Sequence, residues 1–184
     1  MKRTISQFAL AIVFVLQSAF LGAIIFEKTN IPTVLGLLTI IGVLTIVAWR
    51  KIPHHRYDHL WEDCWLIAFV ASGAVLTFFL SSGLHMNSVV SVGLVGLAAS
   101  FVPKFTGDNL LSQQIPAAIY CGAFVGMTSP DIAHGYQFIL LAATTAGVLL
   151  ILSKNVFHGY GGKLGTMAFG GVVLVAIILE YFLK

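Results

Sequence analysis

Apolar positions along the chain gather into seven runs, at 8–26, 33–49, 64–82, 88–103, 113–128, 137–153 and 164–183, each closed by charge, proline, glycine or asparagine. A helix needs about 20 apolar residues to cross the hydrocarbon core of a bilayer. The pattern therefore predicts an all-α integral membrane protein, a polytopic bundle of about seven transmembrane helices in a single domain over 1–184, with six spans as the competing count. The runs at 88–103 and 113–128 are short for full crossings and predict tilted, partly re-entrant or proline-ended helices, which a membrane tolerates only where protein buries the freed backbone.

Placing the amino terminus in the cytoplasm tests the count against the loops, because lysine and arginine concentrate on the cytoplasmic side. Lys2, Arg3, Arg50, Lys51, Arg56, Lys104, Lys154 and Lys163 then fall inside, and only Lys28 and Lys184 fall outside. Removing one span breaks this agreement downstream, so the charge pattern favours seven spans with the carboxyl terminus outside. The expected location is a bacterial cytoplasmic (inner) membrane.

Composition agrees with a lipid solvent. The 184 residues are 58% hydrophobic and 9% charged, against about a quarter charged in soluble domains. Met1-Lys2-Arg3 followed by apolar sequence from Phe8 has the outline of a secretory signal, but Leu21-Gly22-Ala23 offers no convincing small-x-small cleavage site, so the segment is expected to be the first span. The net charge of +3 sets orientation rather than marking a nucleic-acid partner. Cys64 and Cys121 form no disulfide framework and are expected as free thiols. AVLTFFLSSGLH (74–85) and GVLLILSKNVFH (147–158) share a small-Val-Leu start and a histidine at the same distance, the outline of an inverted repeat.

Metal-competent side chains concentrate in HHRYDHLWEDC, residues 54–64. In a helix, His55, His59 and Glu62 share one face at i, i+4 and i+7, close enough for one divalent ion. The same stretch also reads as a membrane-surface anchor, with Arg50, Lys51 and Arg56 toward headgroups and Trp49, Tyr57, Trp61 and Trp65 in the interface. The anchor accounts for the aromatic and basic residues together, so no metal and no cofactor are expected.

FHGYGGKLGT, residues 157–166, opens the last run. Consecutive glycines leave backbone N–H groups able to converge on an anion, a helix amino terminus adds partial positive charge, and Lys163 adds a full one. Over about a dozen residues this stretch resembles the glycine-glycine-lysine segment of the multi-spanning glycerol-3-phosphate acyltransferases that use acyl phosphate. The resemblance implies a lipid or phosphate transferase with an anion site at Gly161, Gly162 and Lys163. Those enzymes also carry a Gly-Ser-Gly-Asn-Pro-Gly type segment, of which KFTGDNLLSQQ (104–114) is not a version. The competing expectation is a tight packing loop, in which a side chain at Gly162 would crowd the turn and the neighbouring helix.

Gly122-x-x-x-Gly126 forms a small-residue face that lets helix backbones approach, and packing within the bundle is the expected use. No Asp, Glu, Lys or Arg lies near the middle of a run. That argues against a proton pump and removes the carboxylate or histidine clusters of an intramembrane hydrolase or di-metal enzyme. The interior polar groups are neutral, and Gln17, Tyr120, Cys121, Thr144 and Thr145 are candidates to line a path. The expected function is a small channel or transporter for a neutral or weakly charged solute or ion, homo-oligomeric, in contact with the lipid bilayer and not with nucleic acid. The alternatives are the transferase, and a membrane anchor whose unidentified partner subunit supplies the activity.

Overall fold

The computed structural model describes residues 64–107, 112–153 and 162–182, together with the single helical positions Val15, Ser18 and Gly22. The chain falls into two compact units, Met1–Tyr57 with Ser153–Tyr160, and Asp58–Leu152 with Gly161–Lys184. The runs at 8–26 (those three positions apart) and 33–49, the histidine-rich loop up to Asp63, and residues 154–158 of the suspected repeat lie outside the described residues.

Among the described residues all regular structure is helical. In order come α1 (Leu66–Phe78), a π-helix (Phe79–Gly83), α2 (Ser88–Ser100), α3 (Val102–Thr106), α4 (Ile115–Val125), α5 (Pro130–Ala133), α6 (Tyr136–Leu152) and α7 (Lys163–Phe182), all in the second unit. Helix is what an apolar chain must form in lipid, where every backbone N–H and C=O has to be satisfied within the segment. Among the described residues three stretches are long and apolar enough to cross a membrane: Leu66–Gly83, Ser88–Thr106 and Lys163–Phe182, of 18, 19 and 20 residues. At 1.5 Å per residue each covers about 27–30 Å, the thickness of a hydrocarbon core.

One of these corrects an expectation. The run at 88–103 is not short of a crossing, because helix resumes beyond the turn at Phe101 and continues to Thr106. Pro103 has no N–H to give to the ladder of α2, but it is tolerated in the first turn of α3, where that N–H would have no partner. Gly107, at φ +82°, then ends the stretch. By contrast α4 has 11 residues and α6 has 17, both shorter than those three stretches.

α4 touches α1, α2, α6 and α7, while α6 packs on α1 and α7. Backbone approach makes this possible. A Cβ built on Gly73 of α1 would strike the carbonyl of Ile119, one on Gly122 the carbonyl of Val70, and one on Gly126 the carbonyl of Ala74. These three glycines bring α1 and α4 together backbone to backbone, the arrangement that small residues permit between apolar helices. On the other side of the bundle, Gly171 of α7 lies against α6, where an added Cβ would sit 2.6 Å from the Ala142 carbonyl and 2.7 Å from the Ala146 Cβ. Val70, Ala74, Cys121, Ala123, Val125, Ile139 and Ala146 are fully enclosed by these contacts.

The outer faces are apolar as well. Leu76 and Phe79 on the first spanning stretch, Val89, Leu94 and Leu97 on the second, and Ile177 and Ile178 on α7 are all exposed. Apolar faces repeated on every long helix exceed what a water-soluble monomer leaves uncovered, and hydrocarbon is the solvent that suits them.

Candidate functional site

Hydroxyl side chains on apolar helices usually turn back and donate to a carbonyl three or four residues earlier. Ser72 donates to the carbonyl of Phe69, Ser81 to Phe78, Ser100 to Leu97, Thr106 to Val102 and Thr128 to Val125. Ser91, fully buried, donates to the carbonyl of Asn87 at 3.1 Å. Two buried hydroxyls depart from this habit. Thr77 Oγ1 and Ser82 Oγ have no hydrogen-bond partner, and Thr77 is 0% exposed. Leaving a buried hydroxyl unsatisfied costs about 1–3 kcal/mol.

Both hydroxyls belong to the place where α1 gives way to the π-helix. There the N–H of Leu84 donates to the carbonyl of Phe79, five residues back, at 3.1 Å, and the N–H of Met86 donates to that of Leu80. Single turns of this kind occur often at functional sites. Side-chain packing holds the geometry from both sides: Phe78 sets its ring edge-on to Tyr136 at 5.2 Å, and Leu80 packs against Val92, Val95 and Ala123. Thr77 also meets α4, since a Cβ on Gly126 would lie 2.8 Å from its Cβ. The result is two unused hydroxyl groups in a span whose other hydroxyls, Ser72 and Ser81, are satisfied by backbone carbonyls.

Those residues singled out in the sequence that the structure describes are distributed through the bundle rather than gathered. Tyr120 is partly exposed, packs edge-on to Phe124 at 4.7 Å and covers Gly96, beside a groove of about 520 Å³ along α2 and α4. Cys121 is enclosed, with its thiol toward the carbonyl of Leu164 at 3.6 Å. Thr144 donates to the carbonyls of Leu140 and Leu141, and Thr145 to that of Leu141, so both hydroxyls are used within α6. Gly122 and Gly126 face α1.

Gly162 stands just before α7 at φ +83°, and its carbonyl accepts from the N–H and the hydroxyl of Thr166; Lys163 opens the helix. Among the described residues no atom lies within 4 Å of a Cβ built there. Its left-handed backbone is the reason a glycine suits the position. Gln17, Gly161, His55, His59 and Glu62 lie outside the described residues. Among the described residues no three His, Cys, Asp or Glu side chains group together to hold a metal ion.

A cavity of about 600 Å³ opens between the start of α6 and the end of α7. His134, Gln137 and Glu180 line its polar part, and Phe138, Leu141 and Leu179 its apolar part. The corner before α6 is shaped by two left-handed residues, His134 at φ 50° and Gly135 at φ 138°, with Ser129 capping α5 through the N–H of Asp131. None of the cavity's polar residues was singled out in the sequence. The only local signal is the His-Gly pair at 134–135, a turn dipeptide before an apolar run.

The described residues thus form a helical bundle with three helices long and apolar enough to cross a membrane. No family model, no curated protein and no solved structure matches the chain.

Proposed function

We propose that the protein is a polytopic membrane protein that passes a neutral or weakly charged small solute, with seven crossings, a cytoplasmic amino terminus and a place in a bacterial cytoplasmic membrane. The observation that supports this reading is the pair of buried hydroxyls, Thr77 and Ser82, left without partners at a π-helix within an apolar span. Such groups offer hydrogen bonds to a solute that sheds its own water. The neutral character of the buried side chains suits an uncharged species, because Thr77, Ser91 and Ser112 are the polar residues enclosed in the second unit among those described. The eight-to-two distribution of basic residues supports the orientation. Assembly into a homo-oligomer accords with the exposed apolar face of α2.

Reconstituted vesicles test the idea. Stopped-flow light scattering with urea, glycerol and small neutral amides should show faster solute-driven swelling than in empty vesicles, and Thr77→Val should slow it. Wild-type vesicles that swell no faster than empty ones with every solute would remove the transport reading.

A further inference from the structure

We infer that the junction of α1 with its π-helix and the end of α4 binds one monovalent alkali cation, held by the hydroxyl oxygens of Thr77 and Ser82 together with backbone carbonyls. The two helices run in the same sense: a Cβ on Gly122 meets Val70, and one on Gly126, a turn further along α4, meets Ala74, Thr77 and Phe78. Both therefore end on the same side of the bundle. α4 stops at the level of Thr77, since Val125 is its last residue and Gly126 its C-cap. The π-helix brings the second hydroxyl over the first. Its turn takes one extra residue, so the fifth residue along stands where the fourth stands in an α-helix, and Ser82 falls above Thr77 on one face.

What these groups offer is oxygen lone pairs. Thr77 is 0% exposed, and neither Thr77 Oγ1 nor Ser82 Oγ has a hydrogen-bond partner. Thr77 thus makes no bond to the carbonyls of Gly73 and Ala74, to which a helical threonine usually donates. Both oxygens are buried, so an ion sheds its water to reach them. The last carbonyls of two helices add to the pair, and each helix end carries about half a negative charge, about one unit for the two together. A monovalent ion matches that sum. A divalent ion would want carboxylate ligands, whereas the enclosed polar residues of the second unit among those described, Thr77, Ser91 and Ser112, are neutral. The connecting segments at this end, 84–87 and 126–135, carry one aspartate, Asp131, and no lysine or arginine, so neither supplies a permanent cation of its own.

Coordination takes up oxygen lone pairs and leaves each O–H able to donate, so the ion and the solute of the transport reading can share the two hydroxyls. Ion binding does not depend on that solute.

The test is thermal unfolding of the full chain in dodecyl maltoside, followed by tryptophan fluorescence, in sodium, potassium or choline chloride at matched concentrations from about 1 to about 300 mM. The gain grows with the logarithm of ion concentration above the dissociation constant, so it is slight at the low end. At about ten times that constant the folded state gains about elevenfold, and for a chain of this size the midpoint in sodium or potassium should rise by about 3–6 °C over choline. Thr77→Val, which keeps shape, should remove the rise, and Ser82→Ala should reduce it. Ser72→Ala should keep it, since that hydroxyl already donates to the carbonyl of Phe69. Equal midpoints of the wild type in all three salts, a full rise in Thr77→Val, or loss of the rise in Ser72→Ala would each overturn the inference. Should Thr77→Val fail to fold, an unchanged rise in Ser82→Ala overturns it alone. Because binding is read in detergent, vesicles that fail to swell would remove the transport reading and not this one.

Discussion

Adding a single methyl group at Gly122 probes the closest approach in the bundle. In Gly122→Ala the new Cβ meets the carbonyl of Val70, with the carbonyl carbon 2.7 Å away and the N of Ala74 at 3.0 Å. All of these are backbone atoms of α1, so none can rotate aside. Restoring ordinary carbon contacts of about 3.5–4.0 Å requires the two helices to part by about 1 Å, and a gap of that size forfeits roughly a quarter to a half of each dispersion well. With on the order of 20–30 atom pairs across the seam at about 0.1–0.2 kcal/mol each, the loss is about 1–3 kcal/mol, the range usual for overpacking. Alanine also raises helix propensity by about 1 kcal/mol over glycine. Gly93→Ala removes that term by comparison, because nothing lies within 4 Å of its Cβ. Unfolding in dodecyl maltoside by added sodium dodecyl sulfate, followed by tryptophan fluorescence, should separate the two variants by about 1–3 kcal/mol, with Gly122→Ala the weaker. If both unfold at the same denaturant fraction, the α1–α4 seam is not a close backbone contact.

Thr77→Val keeps shape and removes the unused hydroxyl, so the same unfolding assay should show it as stable as wild type or up to about 2 kcal/mol more stable, even as swelling slows; a destabilised variant would mean that Thr77 has an acceptor. Asn87→Ala removes the cap in which Asn87 Oδ1 accepts from the N–H of Val89 at 2.9 Å, and should cost about 1 kcal/mol in that assay. Cys64 is exposed and Cys121 buried, so a maleimide should label Cys64 in the folded protein and Cys121 only after unfolding, as read by intact mass.

Helix content was legible because lipid leaves an apolar chain little alternative: length and composition between Leu66 and Gly83, or between Lys163 and Phe182, suffice to define an element. Glycine spacing also marks one helix face at Gly122 and Gly126. It does not say that Gly73 of α1 supplies the opposing surface, because the pairing of faces depends on the whole bundle. The extent of Ser88–Thr106 was underestimated because Pro103 looks like a stop, whereas a first-turn proline lets helix resume. The π-helix has no signature in FLSSG, since it is held by Phe78 against Tyr136 and by Leu80 among α2 and α4 side chains. Thr77 is visible as a polar residue in an apolar run, but the lack of an acceptor is a fact of geometry. The residues of the α6–α7 cavity are farther out of reach, because Gln137 and Glu180 stand more than 40 positions apart and meet only when two helices run in opposite senses.

Counted in residues rather than in contacts, the stretch Phe79–Gly83 behaves as an insertion of one amino acid into an α-helix. Deleting one residue there would return the segment to ordinary pitch and leave everything beyond it, the corner at His85 and the cap at Asn87 included, on nearly its present bearing, because the wider turn takes up its extra residue within one turn. The glycine seam with α4 would keep its register, since Val70, Gly73, Ala74 and Thr77 all precede the change. A chain one residue shorter at this point could therefore retain both the bundle and the aim of the loop, losing only the bulge that sets Ser82 apart from an ordinary helical turn.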